Sequence, residues 1–209
     1  DENGKPSVDL APGPAAYCAA VTARDQVVGL QRIYLDPAKG SAGKRPAALC
    51  VPDGADPELG NPKKTLGPLV GLGAAAVRLG IVGEKTPGRR LVLVACEGIE
   101  TGMAILAALN AWMAGMLAER PGVTWVGVRF SVWACVSTSW LKAIELRDEP
   151  YAAVIIAADM DEWKNDLLKR PGIKAAEAAV SNLRVKYPGL AVAWVAPEHA
   201  DAPTLVTRA

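Results

Sequence analysis

Two apolar runs that stop abruptly on carboxylates constrain this chain more than any other feature. Leu91–Cys96 contains only Leu, Val, Ala and Cys and ends at Glu97-Gly98-Ile99-Glu100. The run from Tyr151 to Ala158 ends in the same way, at Asp159-Met160-Asp161. Continuous apolar stretches of this length read as strands buried on both faces, the environment of a strand inside a parallel sheet. Ligands of open parallel sheets bind beyond the carboxyl ends of the strands. Glu97, Asp159 and Asp161 are therefore expected at one sheet edge, with no Arg or Lys beside them. Carboxylates gathered in that way repel one another unless a cation lies between them. Oxygen-only ligation suits Mg²⁺ or Mn²⁺ and not zinc.

From Arg89 onward, strand and helix signals alternate. The strand Leu91–Cys96 feeds a helix expected from Thr101 to Glu119, stopped by Pro121-Gly122. Thr124–Val128 and Val132–Val136 read as two further strands. Ser137, Thr138 or Ser139 caps a short helix to Leu146. Ala153–Ala158 is the next strand, then a helix from Gly172 to Tyr187 before Pro188-Gly189, then a last strand at Ala191–Val195. Such alternation argues an α/β fold, with a mostly parallel sheet covered by helices on both faces. The N-terminal portion differs. Residues 1–14 are polar and rich in Pro and Gly, and read as a flexible lead-in. Tyr17–Ala23 and Val27–Asp36 read as a hairpin, and Pro37–Thr65 is turn-rich, with one short strand candidate at Ala47–Val51. Another strand is expected at Ala75–Leu79, so a small β-rich part spans 15–88 and the main domain 89–209.

Composition removes several classes of function. Basic and acidic residues nearly balance at 23 and 22, so any nucleic-acid contact must come from a local patch. The four cysteines, Cys18, Cys50, Cys96 and Cys135, are scattered, which argues against a zinc finger or a disulfide framework and for a reducing, cytoplasmic setting. Apolar stretches broken short of about 18 residues predict no membrane span. The charged opening Asp1-Glu2-Asn3-Gly4-Lys5 has no signal-peptide pattern and reads as the start of an excised fragment. The single histidine, His199, excludes a His-based triad. The Gly67–Gly73 stretch lacks the spacing of a phosphate-binding Walker loop. Most tryptophans lie in apolar runs and are expected in the core; Trp163, among polar residues, is a candidate for stacking on a base. Lys44-Arg45, Lys63-Lys64, Arg78 and Arg89-Arg90 lie on the N-terminal side of the acidic cluster, where each pair reads equally well as a solvated face. Lys142, on the short helix, is a weaker phosphate candidate.

Glu97-Gly98 at one strand end followed by Asp159-x-Asp161 at a later one resembles the Toprim domain of primases and topoisomerases. The longer string Glu97-Gly-Ile-Glu-Thr-Gly-Met-Ala104 resembles the Toprim segment of primase-helicase proteins from phages, plasmids and other mobile elements. Val27–Asp36 is similar to the strand that precedes that core. Asn61–Thr65 with Ala76–Leu79 resembles its basic approach segment, and Ser131–Leu146 its strand, small-residue turn and helix. The similarity runs roughly from Ala15 to Pro197.

What the resemblance implies is a DNA primase core that makes short RNA primers on a single-stranded DNA template from nucleoside triphosphates, alongside a helicase domain or protein. Glu97, Asp159 and Asp161 would hold divalent metal at the phosphates. One ion would lower the pKa of the primer 3′-hydroxyl while another steadies the leaving pyrophosphate. Lys63, Lys64 and Arg78 would sit beside this edge and hold template backbone or triphosphate. Glu100 is a helper or helix cap. Asp201 is a candidate helper, in a segment, Pro197–Ala202, that matches the family's late acidic motif only loosely. A topoisomerase would need a nucleophilic tyrosine, and Tyr17, Tyr34, Tyr151 and Tyr187 carry no mark of that role. A Toprim-type nuclease, in which the same acids activate water, and a non-catalytic module that binds DNA or a helicase remain alternatives.

Overall fold

Apolar strand runs alternating with helices produce layers of sheet and helix, and the structure, a computed structural model, has that architecture. It describes residues 16–23, 26–34, 63–66, 74–83, 88, 90–119, 127–146, 150–159, 171–197 and 205–208, with backbone alone at 16–20, 34, 64–66, 117, 197 and 205–208. In chain order the elements are β1 (Ala16–Ala23), β2 (Gln26–Tyr34), β3 (Lys63–Leu66), β4 (Val77–Val82), β5 (Arg90–Cys96), α1 (Ile99–Glu119), β6 (Val128–Ala134), α2 (Thr138–Lys142), β7 (Tyr151–Ala157), α3 (Pro171–Lys186), β8 (Ala191–Pro197) and β9 (Leu205–Arg208). The chain divides into two units, one of residues 1–21 with 27–70, the other of residues 22–26 with 71–209.

Strands β1, β2 and β3 form a three-stranded sheet in that order, with β2 and β3 antiparallel and Ile33 opposite Lys63. The sequence reading placed Lys63-Lys64 in a loop-like approach segment, but both belong to this edge strand. The lead-in 1–14 and the strand candidate Ala47–Val51 lie outside the described residues.

The larger sheet has six strands in the order β4-β6-β5-β7-β8-β9. Its four central strands, β6, β5, β7 and β8, run parallel, and β4 and β9 close the two edges antiparallel. Strand β4 lies N-terminal to the boundary expected near Gly88, yet it pairs along β6 and belongs to this sheet. Side chains alternate across a strand. Leu93 and Ala95 of β5 are fully buried in a cluster with Val154 and Ile156 of β7 and Ala175, Ala176, Ala179 and Leu183 of α3. Helix α2 packs on α3 on this same face. Cys96, one residue on, points to the opposite face, where α1 crosses β4, β5 and β6. Strand β6 runs from Val128 to Ala134, beginning four residues before the strand read at Val132–Val136, and residues 124–126 of the strand read at Thr124–Val128 lie outside the described residues. The buried Ser131 is carried through this strand because its hydroxyl accepts from the Trp133 indole at 3.0 Å.

Helix α1 departs from expectation. Its window Ile99–Met116 has a mean hydropathy of 1.2 over 18 residues, so by length and composition it is the one helix among the described residues able to cross a membrane. The polar Glu100, Thr101 and Asn110 only dilute this apolar run. Its Ile99 and Gly102 are nevertheless buried against the sheet. Trp112, expected in the core, is 44% exposed and meets Phe130 edge-on.

Three glycines separate close packing from helix propensity. A Cβ on Gly172, in the first turn of α3, would overlap the carbonyl oxygen of Asp159, which is backbone and cannot rotate aside. On Gly102 it would meet the end of the flexible Leu79 side chain and lie 3.1 Å from Cys96 Sγ; on Gly115 it would meet nothing. Urea unfolding should therefore rank three variants. Gly115→Ala should stabilise by about 0.5–1 kcal/mol, and Gly172→Ala should destabilise by about 1–3 kcal/mol. Gly102→Ala should fall between them. Leu93→Ala should cost about 2–5 kcal/mol in the same measurement, by opening a cavity under the parallel strands.

Candidate functional site at the carboxyl ends of the parallel strands

Strand β5 has parallel neighbours on both sides, and this fixes where a crevice opens. The chain leaves β5 through α1 on one face to reach β6, and leaves β7 through α3 on the other face to reach β8. Helices departing to opposite faces from adjacent strands cannot close over the gap between them, and that switch point is the usual ligand site of an open α/β sheet. Cys96 pairs with Ala157, so Glu97 follows directly on one side of the gap and Asp159 on the other. The expectation that these two carboxylates share one edge is thus met by sheet register. Asp161 and Asp201 lie outside the described residues.

The turn after β5 is shaped at atomic detail. The Thr101 hydroxyl, in the first turn of α1, donates to Asp159 Oδ1 at 2.9 Å. A Cβ built on Gly98 would lie 3.4 Å from Thr101 Oγ1, 3.6 Å from Asp159 Oδ2 and 3.7 Å from Glu100 Oε2. Glycine here leaves a small cradle bordered by three side-chain oxygens, two of them from carboxylates. Glu100, read from sequence as a helper or cap, stands in that border, and its Oε1 is buried. Thr101 was not singled out by the sequence reading. The available signal was a hydroxyl residue directly after Glu-Gly-Ile-Glu, but nothing in a helical pattern says which strand end such a residue faces.

The backbone on the β6 side is tied to the same turn. Val136 N donates to the Glu97 carbonyl at 2.7 Å and Cys135 N to the Cys96 carbonyl at 2.8 Å. Val136 has φ 68°, and Ser137 N donates to the Cys135 carbonyl across it at 2.7 Å, so the chain turns in three residues. A β-branched residue in this left-handed region is strained, at a cost on the order of 1–3 kcal/mol. Ser137 then caps α2, its hydroxyl accepting from Trp140 N at 3.2 Å.

The basic candidates are distributed unevenly. Arg78 is on β4 at the register of Trp133, with its guanidinium carbon 4.8 Å from the centre of that ring. Trp133 in turn meets Tyr151 edge-on, and Arg78, Ile81, Ser131 and Tyr151 border a shallow depression over it. Lys142 is exposed at the last turn of α2, and its carbonyl accepts from Asn182. Lys63 belongs to the three-stranded sheet of the other unit. Lys64 is placed there by its backbone, and Lys44, Arg45, Arg89 and Trp163 lie outside the described residues. Tyr187 is structural: its hydroxyl donates to the Leu146 carbonyl and accepts from Leu146 N, each at 3.0 Å.

Two buried thiols report the electrostatics of this edge. Burial pushes Cys96 far above the ordinary thiol range, and Cys135, Asp159, Glu97 and Glu100 push it further. Cys135 is pushed up to about 12, by burial first and then by Glu97. Three carboxylates thus act on one buried thiol and help to keep it protonated. Among the described residues, no group of three or more His, Cys, Asp or Glu side chains is arranged to hold a metal ion. Comparison with known protein families, curated proteins and solved structures finds no match.

Because both thiols ionise higher in the folded chain than in the unfolded one, unfolded molecules lose these protons first as pH rises. Their contribution to stability is full below pH 9.0 and is lost as pH rises above it, by about 12 for Cys135 and higher still for Cys96. Stability by urea unfolding should accordingly fall over that window, and less so in a Cys135→Ala variant. With Cys18 and Cys50 replaced by Ser, the remaining thiols should react with a disulfide reagent at pH 8 at least ~100-fold more slowly when folded than in urea.

Proposed function

We propose that this chain is the Toprim-type catalytic core of a DNA primase, joining nucleotides into short RNA primers on single-stranded DNA. The observation that carries the reading is the position of Glu97 and Asp159 at the ends of adjacent parallel strands, at the point where the connecting helices part. The order of the acids in sequence and the Glu97-Gly-Ile-Glu-Thr-Gly string support the same family.

The donor chemistry fits a hard divalent cation. The cradle left by Gly98 is bordered by oxygens of Asp159 and Glu100, Glu97 adjoins it in sequence, and the neighbouring thiols are held neutral. Glu97 and Asp159, joined by Asp161, are the residues that would hold Mg²⁺ or Mn²⁺, with Glu100 in support. Bound there, the ion would supply charge neutralisation at the triphosphate and a more acidic primer hydroxyl. The chain's own groups orient this arrangement. Thr101 holds one oxygen of Asp159, and Val136 holds the carbonyl of Glu97. Arg78 and Lys142 are the described basic residues in the same unit as this edge that the reading assigns to phosphate or template. Lys63 and Lys64 keep that assignment from the resemblance. A helicase domain or protein is the expected partner.

The test is de novo synthesis on single-stranded DNA with labelled nucleotides and Mg²⁺ or Mn²⁺. The wild type should yield short products, and Glu97→Ala and Asp159→Ala should lower the yield more than ~100-fold, beyond what loss of an outer partner of a metal ligand does. Gly98→Ala, whose methyl fits without collision, should keep the folded stability and weaken Mn²⁺ binding by filling the cradle. Retained synthesis in both acid variants overturns the assignment. Metal-dependent degradation of the DNA without nucleotides would replace it with a nuclease.

A further inference from the structure

Resting on that metal-binding reading, we infer that Thr101 is a positioning residue that sets which oxygen of Asp159 faces the cradle. An aspartate side chain after a strand end turns about two torsions, and its two carboxylate oxygens are equivalent until something distinguishes them. Here the distinction is made by one bond: Thr101 Oγ1 donates to Oδ1 at 2.9 Å, and Oδ2 is the oxygen beside Gly98. A hydroxyl has one proton to donate, so the bond satisfies a single lone pair and leaves the carboxylate its charge.

The frame on either side of this bond is rigid. Thr101 is in the first turn of α1, between the buried Ile99 and Gly102, and the Gly102 backbone is packed against Cys96 and Ala134. Asp159 has its backbone against Gly172 of α3, in a contact that admits no side chain at that glycine. Both ends of the hydrogen bond are therefore fixed by packing: α1 holds the Asp159 carboxylate through Thr101, and α3 packs against the Asp159 backbone. Outer partners that orient metal-binding carboxylates typically contribute 10–100-fold in affinity. A hydroxyl at 101 is needed for this; a side chain of the same shape lacking it is not a substitute.

The experiment measures Mn²⁺ binding by electron paramagnetic resonance and stability by urea unfolding, using the full chain and the variants Thr101→Val, Thr101→Ser and Asp159→Asn. Thr101→Val, which keeps the shape and removes the donor, should weaken Mn²⁺ binding about 10–100-fold. Thr101→Ser should restore affinity to within about 3-fold of wild type, since it keeps the hydroxyl that makes the charge-assisted bond. In the Asp159→Asn background, Thr101→Val should change Mn²⁺ affinity no further, because the two act as a unit. Wild-type affinity in Thr101→Val, while Asp159→Asn has lost binding, overturns the positioning role and leaves the metal site standing. Absence of Mn²⁺ binding in the wild type overturns the metal site itself, and the inference with it. An equal loss in Thr101→Ser and Thr101→Val overturns it as well, since the hydroxyl would then not be the operative group.

Discussion

A parallel strand cannot pair with its neighbour until the chain has travelled back across one face of the sheet. Strand β5 has a parallel neighbour on each side, β6 and β7, so the returns must be divided between the faces. Helix α1 takes one face and α2 with α3 the other. Everything notable about the carboxyl edge follows from this division. The helices diverge above the β5–β7 pair, the gap between them stays open, and the first residues past both strand ends border it. Had β7 paired with β6 instead, Glu97 and Asp159 would be separated by an intervening strand, near 5 Å for each strand crossed.

The contacts around that gap show how little of its geometry rests on the acids themselves. Two of the tightest constraints are at glycines: Gly102 lets α1 approach Cys96 and Ala134, and Gly172 lets α3 reach the backbone of Asp159, while Gly98 leaves room for oxygens. Val136 contributes strain, held by its hydrogen bond to the Glu97 carbonyl. Carboxylates that repel one another are thus gathered by packing interactions that gain nothing from their proximity. Strain and close backbone approach of this kind are commonly found together at functional sites.

Much of this was legible in the sequence, for identifiable reasons. Strands β5 and β7 announce themselves because burial on both faces demands unbroken apolar runs, and α3 ends where Pro188-Gly189 forbids continuation. Glu97 and Asp159 follow once the sheet is taken as parallel. Of the edge strands, β1 and β4 are legible at Tyr17–Ala23 and Ala75–Leu79, whereas β3 and β9 are not. Strand β3 reads Lys-Lys-Thr-Leu, which is polar enough to pass for a loop, and β9 is a four-residue strand paired with β8 at the sheet edge. The start of β6 was not legible, because Ser131 is polar yet buried in the strand, with its hydroxyl satisfied by Trp133. Hydrophobicity alone places Trp112 in the core, whereas α1 is buried along one side only and leaves Trp112 44% exposed against Phe130. Thr101 escaped because its importance lies in a partner 58 residues away, a relation that no local pattern encodes.

That separation also has a consequence for the order in which the molecule is made. The pairing of β5 with β6 closes over α1 alone, whereas the bond between Thr101 and Asp159 waits until β6, α2 and β7 have followed. Loop closure costs more for longer loops, and non-local pairings form late. On a ribosome, the half of the sheet carrying Glu97 and Glu100 can assemble while Asp159 is still unsynthesised. The acidic edge is therefore a late product of folding, and any cation that bound across it would favour the completed chain over every shorter one.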